Sequence, residues 1–141
     1  MKRLTLIIIF TICASVVEAS PESFCNRQPF DSEFLAGLSG NYEIVGRESD
    51  SGKAYVGVLK IAETKNSYVL VRTVGTDTVK GEAWVELCSP DKFVVLRAHY
   101  ETKPKPIELS CYLRTDGDNY NRASCTTFEG SGLEAWYQSN E

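Results

Sequence analysis

The chain is poor in the residues from which most catalytic centres are built. It has one histidine, His99, and one methionine in 141 residues. A Ser-His-Asp or Cys-His triad would have to rest on that single imidazole, and no nucleophile elbow lies near it. His99 falls near the end of a strand-like run and reads as a rim or surface residue. A surplus of basic charge is also missing: 15 Lys and Arg stand against 19 Asp and Glu, a net charge of −4. That excludes a surface built to follow nucleic-acid phosphates, which needs clustered cations. No Asn-x-Ser/Thr sequon occurs, and beyond the first 17 residues no apolar run is long enough to span a membrane. What is present is ordinary globular composition, 43% hydrophobic and 24% charged, in a length that suits one domain.

The one long apolar stretch comes first. Lys2 and Arg3 precede the run Leu4 to Val17, which ends in Val17-Glu18-Ala19. A basic start, an apolar middle and small residues before a cut after Ala19 are the parts of a secretory signal peptide, residues 1–19. The expected mature domain is 20–141: 122 residues with 13 basic and 18 acidic side chains, net −5. The implied location is periplasmic or secreted. Cys13 leaves with the leader, so five cysteines become four: Cys25, Cys88, Cys111 and Cys125. An even number in an oxidising compartment predicts two disulfides. One histidine and paired cysteines leave no set of zinc ligands, and no cofactor is expected.

After a polar lead-in (20–40), in which Phe30 to Leu38 holds at most one helical turn capped by Asp31 or Ser32, the hydrophobic period is two. Eight strand-like runs follow: Asn41–Glu48, Ala54–Ala62, Tyr68–Val74, Val79–Cys88, Phe93–Tyr100, Ile107–Thr115, Arg122–Phe128 and Leu133–Ser139. The links between them, such as SDSGK, ETKNS, SPDK and EGSG, are turn sequences too short for crossover helices. The reading is all-β: an up-and-down antiparallel barrel of eight strands, whose closure removes the sheet edges. A two-sheet sandwich is the alternative.

Register follows from the turns. Centring the first hairpin on Asp50–Ser51 sets Gly46 opposite Tyr55, Ile44 opposite Gly57 and Tyr42 opposite Leu59. Each glycine then lies across from a bulky side chain that covers it. Tyr42, Ile44, Tyr55, Leu59 and Ile61 form the apolar face. The other face carries Glu43, Arg47 and Lys60, with Val45, Val56 and Val58 as exceptions. Centring a later hairpin on Asp118 sets Cys111 opposite Cys125, within disulfide reach for directly opposed residues. Of the three possible connectivities this favours Cys111–Cys125, leaving Cys25–Cys88 to tie the lead-in to the fourth run.

Other constellations carry less. Glu82 and Glu86 share a strand face about 13 Å apart, too far for a glycosidase pair. Asp116-Gly117-Asp118-Asn119-Tyr120-Asn121 is oxygen-rich, but an EF-hand loop needs Gly where Asn121 stands and Glu where Thr127 stands. Lys103-Pro104-Lys105-Pro106 is a stiff spacer. The aromatics, Tyr42, Tyr55 and Trp84 first, either fill the barrel or line a cavity in it.

Gly40-Asn41-Tyr42, after the Phe30–Ser39 stretch, resembles the opening of a lipocalin-type barrel, with Tyr42 where lipocalins carry the Trp of a G-x-W motif. The spacing Gly40-x-Tyr42, Gly46, Asp50-Ser51-Gly52, Tyr55-x-Gly57, Ile61, Tyr68 also resembles small exported lipocalin-like bacterial proteins. That resemblance implies a non-catalytic binding protein for a small apolar ligand or a partner protein, with Tyr42, Tyr55 and Trp84 as contacts. A second pattern, Ser51-Gly52-Lys53-Ala54-Tyr55, is similar to the S-G-x-x-Y of exported bacterial inhibitors of animal lysozymes. It implies the alternative, an inhibitor of a secreted hydrolase acting through Ser51, Gly52 and Tyr55.

Overall fold

Buried and exposed side chains alternate along β2 (Gly40–Arg47): Tyr42, Ile44 and Gly46 are buried, while Asn41, Glu43, Val45 and Arg47 face solvent. A like period runs through β3 (Ala54–Glu63), β4 (Tyr68–Val74), β5 (Asp77–Cys88), β7 (Ile107–Thr115), β8 (Asn121–Thr127) and β9 (Leu133–Ser139), while in β6 (Phe93–Tyr100) the adjacent Val95 and Leu96 are both buried. One face of every strand must therefore be kept from water, and a sheet closed on itself achieves this without leaving edges. The structure, a computed structural model, describes residues 24–31, 35, 37–115, 121–127 and 130–139. The expected leader 1–19, Ser32 as a helix cap, most of the Asp116–Asn121 loop and Phe128 lie outside the described residues.

Each strand pairs antiparallel with the next, and β9 returns to pair with β2, closing a barrel of eight strands. The sandwich alternative is thereby set aside. The register of the first hairpin is the expected one: Gly46 opposite Tyr55, Ile44 opposite Gly57, Tyr42 opposite Leu59. A Cβ on Gly46 would overlap the Tyr55 ring, so the glycine is the space in which that ring lies. Cys111 faces Cys125 across β7 and β8, and both expected disulfides are present, Cys111–Cys125 and Cys25–Cys88. Two disulfides suit an oxidising compartment.

A ninth strand, β1 (Cys25–Arg27), was not legible in the alternation, because three residues of polar sequence carry no period. It forms because β5 outruns its neighbour. β4 pairs with Asp77–Ala83 and stops, leaving the edge of Glu86–Cys88 open, and β1 takes that edge under the Cys25–Cys88 bond. The lead-in then turns beneath one end of the barrel. Leu38 donates its N–H to Leu35 O at 3.0 Å, a hydrogen-bonded turn where one helical turn was expected; among the described residues no helix forms. Leu38 is buried, and Phe30 meets the ring of Tyr68 edge-on at 5.2 Å. The Tyr42 hydroxyl donates to Leu38 O at 2.6 Å. This end is plugged. The middle is filled by Trp136, Tyr42, Ile44, Leu59, Leu70 and Leu96, with Trp136 and Tyr42 edge-to-face at 6.4 Å.

Candidate binding site at the open end

The opposite end carries the links 48–53, 75–76 and 101–106 and the approach to β9. Here the inward positions stop being apolar. On β4 the inward series runs Tyr68, Leu70, Arg72, and on β9 it runs Trp136, Glu134. These strands are not neighbours, so the two charges meet across the barrel interior. Arg72 Nε and Nη2 donate to Glu134 Oε2 at 2.9 and 2.7 Å. The Tyr55 hydroxyl donates to the same oxygen at 2.7 Å, and Trp136 Nε1 donates to Oε1 at 2.7 Å. Four donors on one carboxylate are what a buried anion requires, and the Glu134 side chain is only 1% exposed. The Arg72 guanidinium lies 5.1 Å from the centre of the Tyr55 ring, which is thus held between Arg72 and Gly46.

Above this floor opens a cleft of about 720 Å³, walled by Arg47, Glu48, Asp50, Val74, Asp77, Glu101, Lys103, Ile107 and Leu133, among others. Charges of both signs ring it. Burial, and then the Glu134 carboxylate, push the Tyr55 hydroxyl up to about 12, so it stays a proton donor at every physiological pH. Arg72 is raised: burial opposes its charge, but Glu134 outweighs burial. The Tyr100 hydroxyl is raised, by burial first and then by Glu134. It is buried, and among the described residues no hydrogen-bond partner meets it.

The hairpin at the rim is braced from within. Glu48 donates its N–H to Lys53 O at 3.0 Å and Gly52 donates to Glu48 O at 3.1 Å. The Ser51 hydroxyl bonds the Glu48 carboxylate and accepts from Lys53 N–H at 3.0 Å. Gly52 has φ +67°, a left-handed conformation that favours glycine, and a Cβ there would meet nothing. Ser51, Gly52 and Lys53 are exposed.

The expected contact residues lie in three places. Tyr42 is in the packed interior near the plugged end. Tyr55 is in the floor of the open cleft. Trp84 is on the outer face, under the Arg27 guanidinium at 4.6 Å and donating to Glu86 Oε1 at 2.9 Å. Glu86 in turn accepts from Arg97 Nε at 2.8 Å. Trp84 borders a separate cleft of about 540 Å³ on the barrel's flank, beside Arg27, Phe30 and Tyr68. Ser51 and Tyr55 belong to one end, but Ser51 faces solvent and Tyr55 faces inward. Cys25, Glu86 and Cys88 come close together, yet the two sulfurs are bonded to each other and offer no thiolate to a metal. His99 bonds Glu101 at 3.1 Å and has Glu108 at 3.4 Å, so both carboxylates raise it.

Arg72 and Glu134 were not singled out by sequence reasoning. The signal was there: each is a charge at an inward position, Arg72 in series with Tyr68 and Leu70 on β4 and Glu134 beside Trp136 on β9. Compared with protein-family models, curated proteins and solved structures, the chain matches none. The closed eight-stranded antiparallel barrel is compatible with a lipocalin-like fold.

Proposed function

We propose that this protein is an exported, non-catalytic binding module that works through the open end of its barrel. The observation that carries the reading is the contrast within the lumen. The plugged end and middle are filled with side chains, while the open end holds a cleft of about 720 Å³ over the Arg72–Glu134–Tyr55 floor. A preformed cleft with a few fixed polar groups at its base is the usual form of a binding site. A filled lumen and a charged floor favour a polar occupant over an apolar one. The best fit is a short polar segment that a secreted partner protein inserts. Native mass spectrometry of protein isolated from its own source tests this. The expected result is a bound partner that Arg72→Ala releases. A bound lipid-like molecule, or partner binding indifferent to Arg72→Ala, would sink the reading.

A second reading, an inhibitor of a secreted hydrolase such as lysozyme, is favoured by the braced and exposed hairpin at Ser51–Lys53. In this reading Ser51 makes the contact, and Tyr55, whose hydroxyl is bound to Glu134, anchors the root of the hairpin. Lysozyme activity measured with and without the protein decides it. Inhibition that weakens in Ser51→Ala supports the reading, and unchanged activity against chicken-, goose- and invertebrate-type enzymes ends it.

A further inference from the structure

The outer face of β2, β3 and β9 differs from the rest of the barrel's exterior. Among the described residues, seven large apolar side chains stay exposed, and five stand together here: Val45 (49%), Val56 (72%), Val58 (57%), Leu133 (55%) and Tyr137 (44%). Register makes them neighbours. Val45 pairs with Val56 on one side and Ala135 on the other. Glu43 lies between Val58 and Tyr137, and Arg47 between Ala54 and Leu133. Apolar patches of this kind on a soluble protein mark interaction surfaces.

We propose that this face is the contact between two copies of this chain, stacked as a two-fold dimer. The charge pattern of the face identifies the occupant. Glu43 and Arg47 both point outward, two residues on either side of Val45. Neither side chain has an ion-pair partner among the described residues. A two-fold axis in the plane of contact, perpendicular to the strands and passing at Val45, stacks β2 on β2 with its direction reversed. Glu43 then meets the partner's Arg47, and Arg47 meets the partner's Glu43. Val45 and Val56 meet their own copies. Tyr137 falls opposite the partner's Leu133, and Val58 opposite the partner's Ala54, so the bulkier residue of each pair faces the smaller. An isologous contact needs one patch complementary to itself. An acid and a base at equal distances from an apolar centre meet that condition. Sheet faces packed in this way lie about 10 Å apart with their strands within about 30° of alignment, which the twist of a barrel wall allows.

Sedimentation velocity of the purified protein from about 1 μM to about 1 mM, the span in which weak specific dimers form, is the test. The mass is expected to rise from one protomer to two. Val56→Glu should raise the dimer Kd by about 100-fold or more, because it places a charge in the apolar centre. Glu43→Arg should raise it by about tenfold, and the exchange Glu43→Arg with Arg47→Glu should restore it to within a few-fold of the original. All these positions face outward, and circular dichroism checks that each variant is folded. A one-protomer mass throughout, a dimer indifferent to Val56→Glu, or a double exchange no better than Glu43→Arg alone would overturn the proposal.

Discussion

At the plugged end, apolar side chains from a segment outside the barrel close the lumen: Leu38 is buried, Tyr42 bonds its carbonyl, and Cys25–Cys88 holds the segment in place. At the open end β3, β4 and β9 present Tyr55, Arg72 and Glu134, and above them opens the cleft walled by side chains such as Val74, Ile107 and Leu133. The two ends share register, twist and strand number. They differ in what lies at the inward positions nearest the strand ends. A barrel of this width is stable when its centre is filled, so its ends are free to specialise: one for closure, one for contact. Trp136 joins them, because its ring packs on Tyr42 while its Nε1 donates to Glu134.

Removing that link should have the largest effect. Trp136→Ala is expected to cost about 5 kcal/mol, the upper end for a buried aromatic, since it opens a cavity and also removes a donor from a buried carboxylate. Urea unfolding reads it, and a loss under 2 kcal/mol would mean that the ends are not coupled through Trp136. Next comes the plugged end alone. The Cys25–Cys88 bond closes a span of 63 residues, for which chain entropy gives about 4 kcal/mol. The Cys111–Cys125 bond spans 14 residues, for about 3 kcal/mol. Replacing each pair with serine should keep that order, and the reverse order would show that the lead-in contributes little. At the open end, Glu134→Ala leaves Arg72 buried without its anion and should cost about 3 kcal/mol. If it costs nothing, water already reaches Arg72, and the two ends differ only in shape.

Part of each end was legible. A hairpin that fits glycine to aromatic and cysteines opposed across a short loop are local relations, and Cys25–Cys88, 63 residues apart, follows by elimination once Cys111 and Cys125 are paired. Turn chemistry and the period of two decide them. Arg72 and Glu134 are 62 residues apart on strands that do not adjoin. Alternation places each on the inward face but does not say which charges meet across the lumen, because that depends on barrel closure and the tilt of the strands. Trp84 shows the same limit. The period that sets Glu82 and Glu86 on one face of β5 sets Trp84 between them, but its cover by Arg27 depends on β1, which has no period of its own.

The smallest effect expected is in titration, and it tests directly whether the floor of the cleft is shielded. Tyr55 is raised from 10 to about 12 by burial and by Glu134. A raised folded-state value means that the hydroxyl's contribution to stability is whole below the unfolded value of 10. It is lost as pH climbs through about 12, when the phenolate would have to form beside a carboxylate. Between those values the unfolded chain has released this proton and the folded chain has not, so stability falls with rising pH. Phenolate absorbance of the folded protein, read as the difference between wild type and Tyr55→Phe, should therefore show a one-proton step near 12. Glu134→Gln removes the neighbouring charge but keeps the side chain's shape and should move the step down, toward 10. A wild-type step already at 10 would place Tyr55 in open water. The open end would then be a solvated rim with no sheltered floor, and its contrast with the plugged end would weaken accordingly.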